Sequence, residues 1–148
     1  MDGFDLDVRR HVYFSLVANG RPPTTLETAA ALDVDVDHVA SAYRRLHDAH
    51  ALVLFPDTSE IWMANPFCFS TTPHRIRAGG RTWTGTCCWD SFGILAALHS
   101  DGDIATECAC CGERLDLRVR DGVVVEGADV LCHVLVPASR WWDDIGFT

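Results

Sequence analysis

The hydrophobic pattern of this chain changes period part-way along, and that change limits its possible folds more than any other feature. Across residues 4–18, Phe4, Val8, Val12 and Leu16 recur one helical turn apart, with Phe14 and Val17 nearby. Gly20 and the Pro22-Pro23 pair forbid continuation of that helix. Thr24 stands three residues before Glu27, a capping-box pattern that opens a second, short helix. After the acidic turn Asp33-Val34-Asp35-Val36-Asp37, the residues Val39, Ala42, Tyr43, Leu46 and Ala49 share one face of a third. Two apolar runs around Pro56-Asp57-Thr58-Ser59 then read as a hairpin. Three helices and a hairpin outline a winged helix-turn-helix-like domain over residues 1–65.

From residue 66 to 148 the pattern belongs to a second domain. Residues 65–83 read as a link, with Ala78-Gly79-Gly80 as a tight turn before Arg81. Phe92, Leu95, Ala96 and His99 keep helical register, with Asp90 or Ser91 as N-cap and Gly102 ending the helix. Strand-like pieces follow at residues 103–109, at 114–120 with clean alternation, at 123–127 after the Asp121-Gly122 turn, and at 129–137. The expected class is α+β, with one helix packed on a small antiparallel sheet in the second domain.

Charge narrows the partners. The 148 residues carry a net charge of -9, and all 12 basic residues are arginine. An acidic chain is repelled by phosphate backbones, so nucleic acid is not an expected partner. The third helix offers Arg44 and Arg45, but Asp33, Asp35 and Asp37 lead it, where a recognition helix would meet phosphates and base edges. Residues 1–65 hold five arginines against ten acidic residues, which favours a packing role for this unit over DNA contact. No apolar run reaches the roughly 18 residues that span a bilayer, and the start is acidic where a signal peptide would be basic. The expectation is a soluble, cytoplasmic protein without a membrane partner.

Seven cysteines cluster as Cys87-Cys88 and Cys108-Ala109-Cys110-Cys111, with Cys68 and Cys132 alone. A cytoplasmic chain keeps thiols reduced, so metal binding or thiol chemistry outweighs a disulfide framework. Cys87 and Cys88 lie just ahead of Asp90 at an expected helix N-terminus, where the dipole and free amides favour a thiolate, so a lowered thiol pKa is expected. The same spacing equally suits an N-cap aspartate beside thiols that fill core space. Cys108 and Cys111 have CxxC spacing, but a zinc ribbon needs paired knuckles; a site shared with Cys87 or Cys88 is the geometric alternative. Cys132 and His133 alternate within an expected strand, so only one faces the core. His74 and His99 have no partner that sequence identifies.

Taken in order, these residues resemble the alkylmercury (organomercurial) lyase family. A tryptophan strand leads to Cys-x-x-Asp at the start of an apolar helix, here Trp83, Cys87, Asp90 and the run from Ser91 to Leu98. A cysteine followed by Ala-x-x-Gly comes next, here Cys108, and then Val134-Leu135-Val136-Pro137. The resemblance implies protonolytic cleavage of a carbon–mercury bond. Cys87 is then the first thiolate on mercury, and Asp90 the proton carrier and later a metal contact. Burial should raise the pKa of Asp90. Cys108 is structural by the same resemblance. The family's second catalytic cysteine follows the matching proline segment, and this sequence reaches Thr148 before one; the expectation is a truncated form, a shortened relative, or a chain in which Cys88 takes that place on the metal. The implied substrate is an organomercurial small molecule, with Hg(II) held as product and removed by a small thiol reductant. No Gly-rich phosphate loop implies an organic cofactor. The competing reading is a thiol module that binds or senses Hg, Cu or Zn without breaking any bond. Asp90 separates the two, because a sensor needs the thiols and not the acid.

Overall fold

In a computed structural model, which describes residues 1–146, helices occupy the stretches with helical spacing and strands the alternating ones. The chain divides into two units, Met1–Ser70 and the remainder from Thr71.

The first unit holds α1 (Gly3–Asn19), α2 (Thr25–Leu32) and α3 (Val36–Asp48), then β1 (Val53–Leu54), β2 (Ile61–Ala64) and β3 (Phe67–Cys68). Val8, Val12 and Leu16 of α1 and Val39, Ala42, Tyr43 and Leu46 of α3 bury the stripe that their spacing predicts. Phe14 and Val17 stay exposed on the outer face of α1. Gly20 closes α1 in the left-handed region at φ 76°, and Thr24 and Glu27 form the reciprocal capping box at the start of α2. Antiparallel β1, β2 and β3 make a three-stranded sheet, so residues 67–68 belong to this unit as a third strand beside the hairpin. The one buried carboxylate of α1, Asp5, accepts hydrogen bonds from Arg45 Nε at 3.0 Å and Nη2 at 2.7 Å. Arg44 Nη2 donates to the Thr58 carbonyl at 3.0 Å. Both arginines of α3 therefore have partners within the unit itself.

The second unit is an α+β layer pair. Strands β4 (Arg75–Ala78), β5 (Arg81–Thr84), β6 (Gly102–Glu107), β7 (Arg114–Arg120) and β8 (Val123–Glu126) form an antiparallel sheet in the order β5-β4-β6-β7-β8. Helix α4 (Cys88–Ala97) follows β5 and packs on β4 and β6. Ile76, Ala78, Trp83, Ile104, Leu117 and Val119 supply the buried sheet face, and Ile94 and Leu95 the buried helix face. The helix approaches closely because Gly102 has no side chain: a Cβ there would meet the Leu95 side chain and lie 2.7 Å from the Arg77 carbonyl.

Three expectations are corrected. The stretch read as a link contains the β4–β5 hairpin, turned at Gly79-Gly80, whose positive φ values suit the turn. The buried face of α4 is Ser91, Ile94 and Leu95, which shares only Leu95 with the Phe92, Leu95, Ala96 and His99 set: the helix turns its Ser91 side towards the sheet and leaves Ala96 and His99 exposed. Residues 129–137 form no strand: Leu131 is 92% exposed, and a short 3-10 turn (Ala138–Asp143) follows. Among the described residues no helix is long and apolar enough to cross a membrane.

Candidate active site

The site is built where β5 runs into α4. After Thr84 the chain passes through Gly85 and Thr86 to Cys87, which is the N-cap of α4 with extended φ -140° and ψ 179°. Its Sγ accepts a hydrogen bond from the Asp90 backbone N–H at 3.5 Å, the role a serine or aspartate ordinarily takes. The cap therefore lies three residues before Asp90, and Cys88 is the first helical residue. The Cys87 carbonyl accepts from the Ser91 backbone N–H and from Ser91 Oγ, both at 3.1 Å. Ser91 is fully buried, so its hydroxyl is committed to that carbonyl.

The approach to Cys87 is also strapped from behind. Thr72 Oγ1 donates to the Gly85 carbonyl at 2.7 Å, and the Gly85 N–H donates to the His74 carbonyl at 3.2 Å. His74 Nδ1 and Thr106 Oγ1 are hydrogen-bonded at 2.7 Å, tying the strap to β6. Burial holds the His74 imidazole below its usual pKa, so it serves here as a neutral bridge. A Cβ on Gly85 would lie 3.2 Å from the Ser91 nitrogen and 3.3 Å from its Oγ, so the turn fits only the smallest residue without displacement.

The electrostatics of the pair differ from expectation at the thiol and agree with it at the acid. Burial pushes the Cys87 thiol up from its ordinary value, and the neighbouring Asp90 charge adds to the rise. Amide hydrogen bonds at the helix N-terminus pull the other way and lose. A helix terminus is worth about 0.3–1 kcal/mol at an exposed site, less than removing a thiolate from water beside a carboxylate. Burial likewise raises the Asp90 carboxyl, while interactions with Thr86 and Cys87 hold back part of the rise. Thr86 Oγ1 is buried and has no hydrogen-bond partner of ordinary geometry. The result is a half-buried thiol and a half-buried carboxyl at one helix start, each with its pKa raised from the ordinary value.

Cys88 does not remain a free thiol: it forms a disulfide with Cys132, across a Cα–Cα distance of 6.7 Å. This corrects the expectation of reduced thiols throughout. Because residues 129–137 are not held in a strand, Cys132 is able to lie beside the start of α4. Cys108 sits at the base of the β6–β7 hairpin, half-buried, with Cys110 and Cys111 exposed beyond it. Amide groups of Cys111 and Cys110 hold the Cys108 thiol below its ordinary pKa. Cys68 belongs to the first unit, where its sulfur lies 3.2 Å from Ser70 Oγ. Among the described residues no three His, Cys, Asp or Glu side chains are disposed to hold a metal ion together. A cluster joining Cys108 and Cys111 to Cys87 or Cys88 is thus not formed.

Of the residues singled out from sequence, the structure brings Cys87, Cys88 and Asp90 to one helix start. Ser91 was considered only as a cap, and Thr72, Thr86 and Thr106 carried no signal; hydroxyls that brace a loop leave no spacing pattern. His74 gains a partner from a strand 32 residues away in sequence, which periodicity does not reveal.

Comparisons with known proteins agree on this region. The family model MerB, described as alkylmercury lyase, matches residues 67–148. The crystal structure of the mercury-bound form of MerB2 superposes with a TM-score of 0.70 at 25% identity. That likeness covers 85% of this chain and 60% of the other, so the chain spans about three-fifths of the neighbour's length. No curated protein sequence matches.

Proposed function

The chain belongs to the alkylmercury lyase family, and from that premise we propose that it cleaves carbon–mercury bonds by protonolysis, with Cys87 and Asp90 as the catalytic pair. The observation that carries this reading is that Cys87 caps α4 with its sulfur accepting the Asp90 backbone N–H at 3.5 Å, which sets a half-buried thiol and a half-buried carboxyl at one helix start, each with its pKa raised by burial. A thiol held protonated beside a carboxyl stores the proton that the reaction consumes.

The steps follow from that store. An organomercurial cation, R–Hg, approaches Cys87; a sulfur–mercury bond forms, and the thiol proton passes to the Asp90 carboxylate. A soft sulfur ligand displaces harder ligands on mercury, so a raised thiol pKa does not prevent binding. A second thiol bonds the metal as thiolate, its proton leaving to solvent, and pushes electron density onto carbon. Asp90 then returns its proton to that carbon: the carbon–mercury bond breaks, a carbon–hydrogen bond forms, and the hydrocarbon departs. Hg(II) stays on sulfur, with the freed Asp90 carboxylate as a further oxygen contact. Ser91 fixes the Cys87 carbonyl, and Thr72 and His74 fix Gly85 two residues before it; positional error at a reacting atom costs rate steeply.

We assign the second thiolate to Cys88 in the reduced protein or to a small external thiol, which also carries Hg(II) away. The reading places the protein in a reducing compartment such as the cytoplasm. In it the first unit, residues 1–65 with β3 added, serves as a winged-helix-like packing module and not a DNA reader, because Arg44 and Arg45 already have partners within it.

The test is a single-turnover reaction of reduced protein with phenylmercury, following released benzene and bound Hg(II) by native mass. Benzene with Hg(II) retained is the expected result, and Cys87→Ser should abolish both. Asp90→Asn should form the phenylmercury adduct and release no benzene. If Asp90→Asn releases benzene at the wild-type rate, the proton store is elsewhere and the mechanism fails.

A further inference from the structure

The β6–β7 hairpin carries a second arrangement of thiols that the chemistry at Cys87 does not use. Its sequence, Cys108-Ala109-Cys110-Cys111-Gly112-Glu113, turns the chain through a compact knuckle. The Cys108 N–H donates to the Glu113 carbonyl and the Gly112 N–H to the Cys108 carbonyl, each at 2.8 Å. Gly112 takes the left-handed φ of 72° that the turn demands. Within this loop the amides of Cys111 and Cys110 and the Cys111 side chain hold the Cys108 thiol below its ordinary pKa. A turn closed by these two backbone hydrogen bonds keeps Cys108 and Cys111, three residues apart, within one short loop, the spacing of a metal-binding knuckle. Cys110 and Cys111 are exposed, so a cation reaches them from solvent.

We propose that Cys108 and Cys111 form a two-thiolate site for a soft two-coordinate cation, Hg(II) above all, separate from the Cys87 site. The donor set decides the class of ion. Zinc asks for four ligands in a tetrahedron, and among the described residues no third His, Cys, Asp or Glu completes such a set here. Two thiolates alone suit a soft d10 cation that accepts two-coordination. Binding balances simply: two sulfur–mercury bonds form, two thiol protons are released, and the two ligands carried by Hg(II) leave.

The sheet register gives the site a use. Arg75 of β4 pairs with Thr84 of β5 on one side and with Ala105 of β6 on the other. Cys87 and Cys108 therefore follow strands that end on the same side of the sheet, with one strand between them, so that β5 and β6 lie about 10 Å apart at the spacing of neighbouring strands. A dithiol at that position is placed to take Hg(II) by thiol exchange. Binding at the knuckle itself does not depend on the lyase reading.

The experiment uses the full-length chain with Cys87, Cys88 and Cys132 all changed to serine, so that neither the proposed active site nor the disulfide pair takes part. Reduced protein receives one equivalent of HgCl2, is challenged with a tenfold excess of glutathione, and is weighed by native mass spectrometry. One retained Hg(II) is expected. Adding Cys110→Ser should leave it in place, and adding Cys111→Ser should reduce retention at least tenfold. Equal retention after Cys111→Ser, or loss after Cys110→Ser, overturns the assignment, as does retention of Zn(II) under the same challenge. A measurement on the wild-type chain covers the case in which the serine variants fold poorly. After sub-stoichiometric Hg(II), iodoacetamide labelling and peptide mapping should find Cys108 and Cys111 protected and Cys110 labelled; labelling of all three overturns the proposal.

Discussion

At the scale of the residue, the informative contest is over the Cys87 proton. The spacing of Cys87 and Asp90 ahead of an apolar run was legible in sequence, and so was the burial that raises Asp90. The sign at the thiol was not, because it depends on how deeply a cap residue sits and on which way the neighbouring carboxylate points. The folded pKa of Cys87 is raised, so its thiolate appears only above the range near 8.5 where free cysteine ionises. Alkylation of Cys87 by iodoacetamide, followed by peptide mapping, should therefore rise with pH along a curve displaced to the alkaline side of a model peptide. Burial is the larger cause and the Asp90 charge a lesser one. Asp90→Asn should accordingly move the curve part of the way back towards neutral. A curve for the wild type that lies below the model peptide contradicts the protonated Cys87 thiol from which the mechanism starts.

At the scale of the element, α4 shows what a pattern reveals and what it hides. An apolar run after a capping signal announces the helix, yet Asp90 and Ser91 are the cap candidates that sequence offers, and only the fold shows that the Cys87 thiol takes the place. Residues 129–137 failed in the opposite direction. Their alternation of valine and leucine with Cys132 and His133 reads as a strand, but the sheet ends at β8 and Leu131 finds no core to enter. A strand needs a neighbour, which sequence alternation cannot supply. The β5–α4 junction carries a sharper consequence. A methyl group on Gly85 would press on the Ser91 nitrogen and Oγ, which hold the Cys87 carbonyl. Such an overlap yields by a few tenths of an ångström, so Gly85→Ala should cost about 1 kcal/mol of stability or less. Displacement of the reacting sulfur is much less tolerated, and turnover of phenylmercury should fall about 10- to 100-fold. Steady-state rates beside a thermal melt check both. Gly102→Ala makes the useful contrast: its Cβ meets backbone at the Arg77 carbonyl, so about 1–3 kcal/mol of stability should be lost as α4 is pushed off the sheet.

At the scale of the whole molecule, the two units answer to different variables. The first is sensitive to acid. The hydrogen bonds from Arg45 hold the Asp5 carboxyl below its usual range. A lowered carboxylate contributes stability that is complete above its unfolded pKa, near 3.9, and disappears as pH falls through the folded value. Asp5→Asn should thus lower the first unit's stability at pH 7 by about 1–3 kcal/mol, the range for hydrogen bonds to charged groups. The difference from wild type should shrink in melts taken below pH 4. The second unit is sensitive to reductant. The Cys88–Cys132 bridge spans 44 residues, and closing a loop of that size in the unfolded chain is worth at most about 4 kcal/mol by loop entropy. Calorimetry with and without a phosphine reductant should therefore lower the transition of the second unit and leave that of the first in place. Cys132→Ser should give the lower transition under both conditions. The same reduction frees Cys88 beside Cys87, so single-turnover benzene release should be faster in the reduced wild type than in the oxidised one. It should slow again in Cys88→Ser if Cys88 supplies the second thiolate. Loss of stability and gain of activity then come from one bond, and a reductant that lowers the melt without raising the rate assigns the second thiolate to an external thiol.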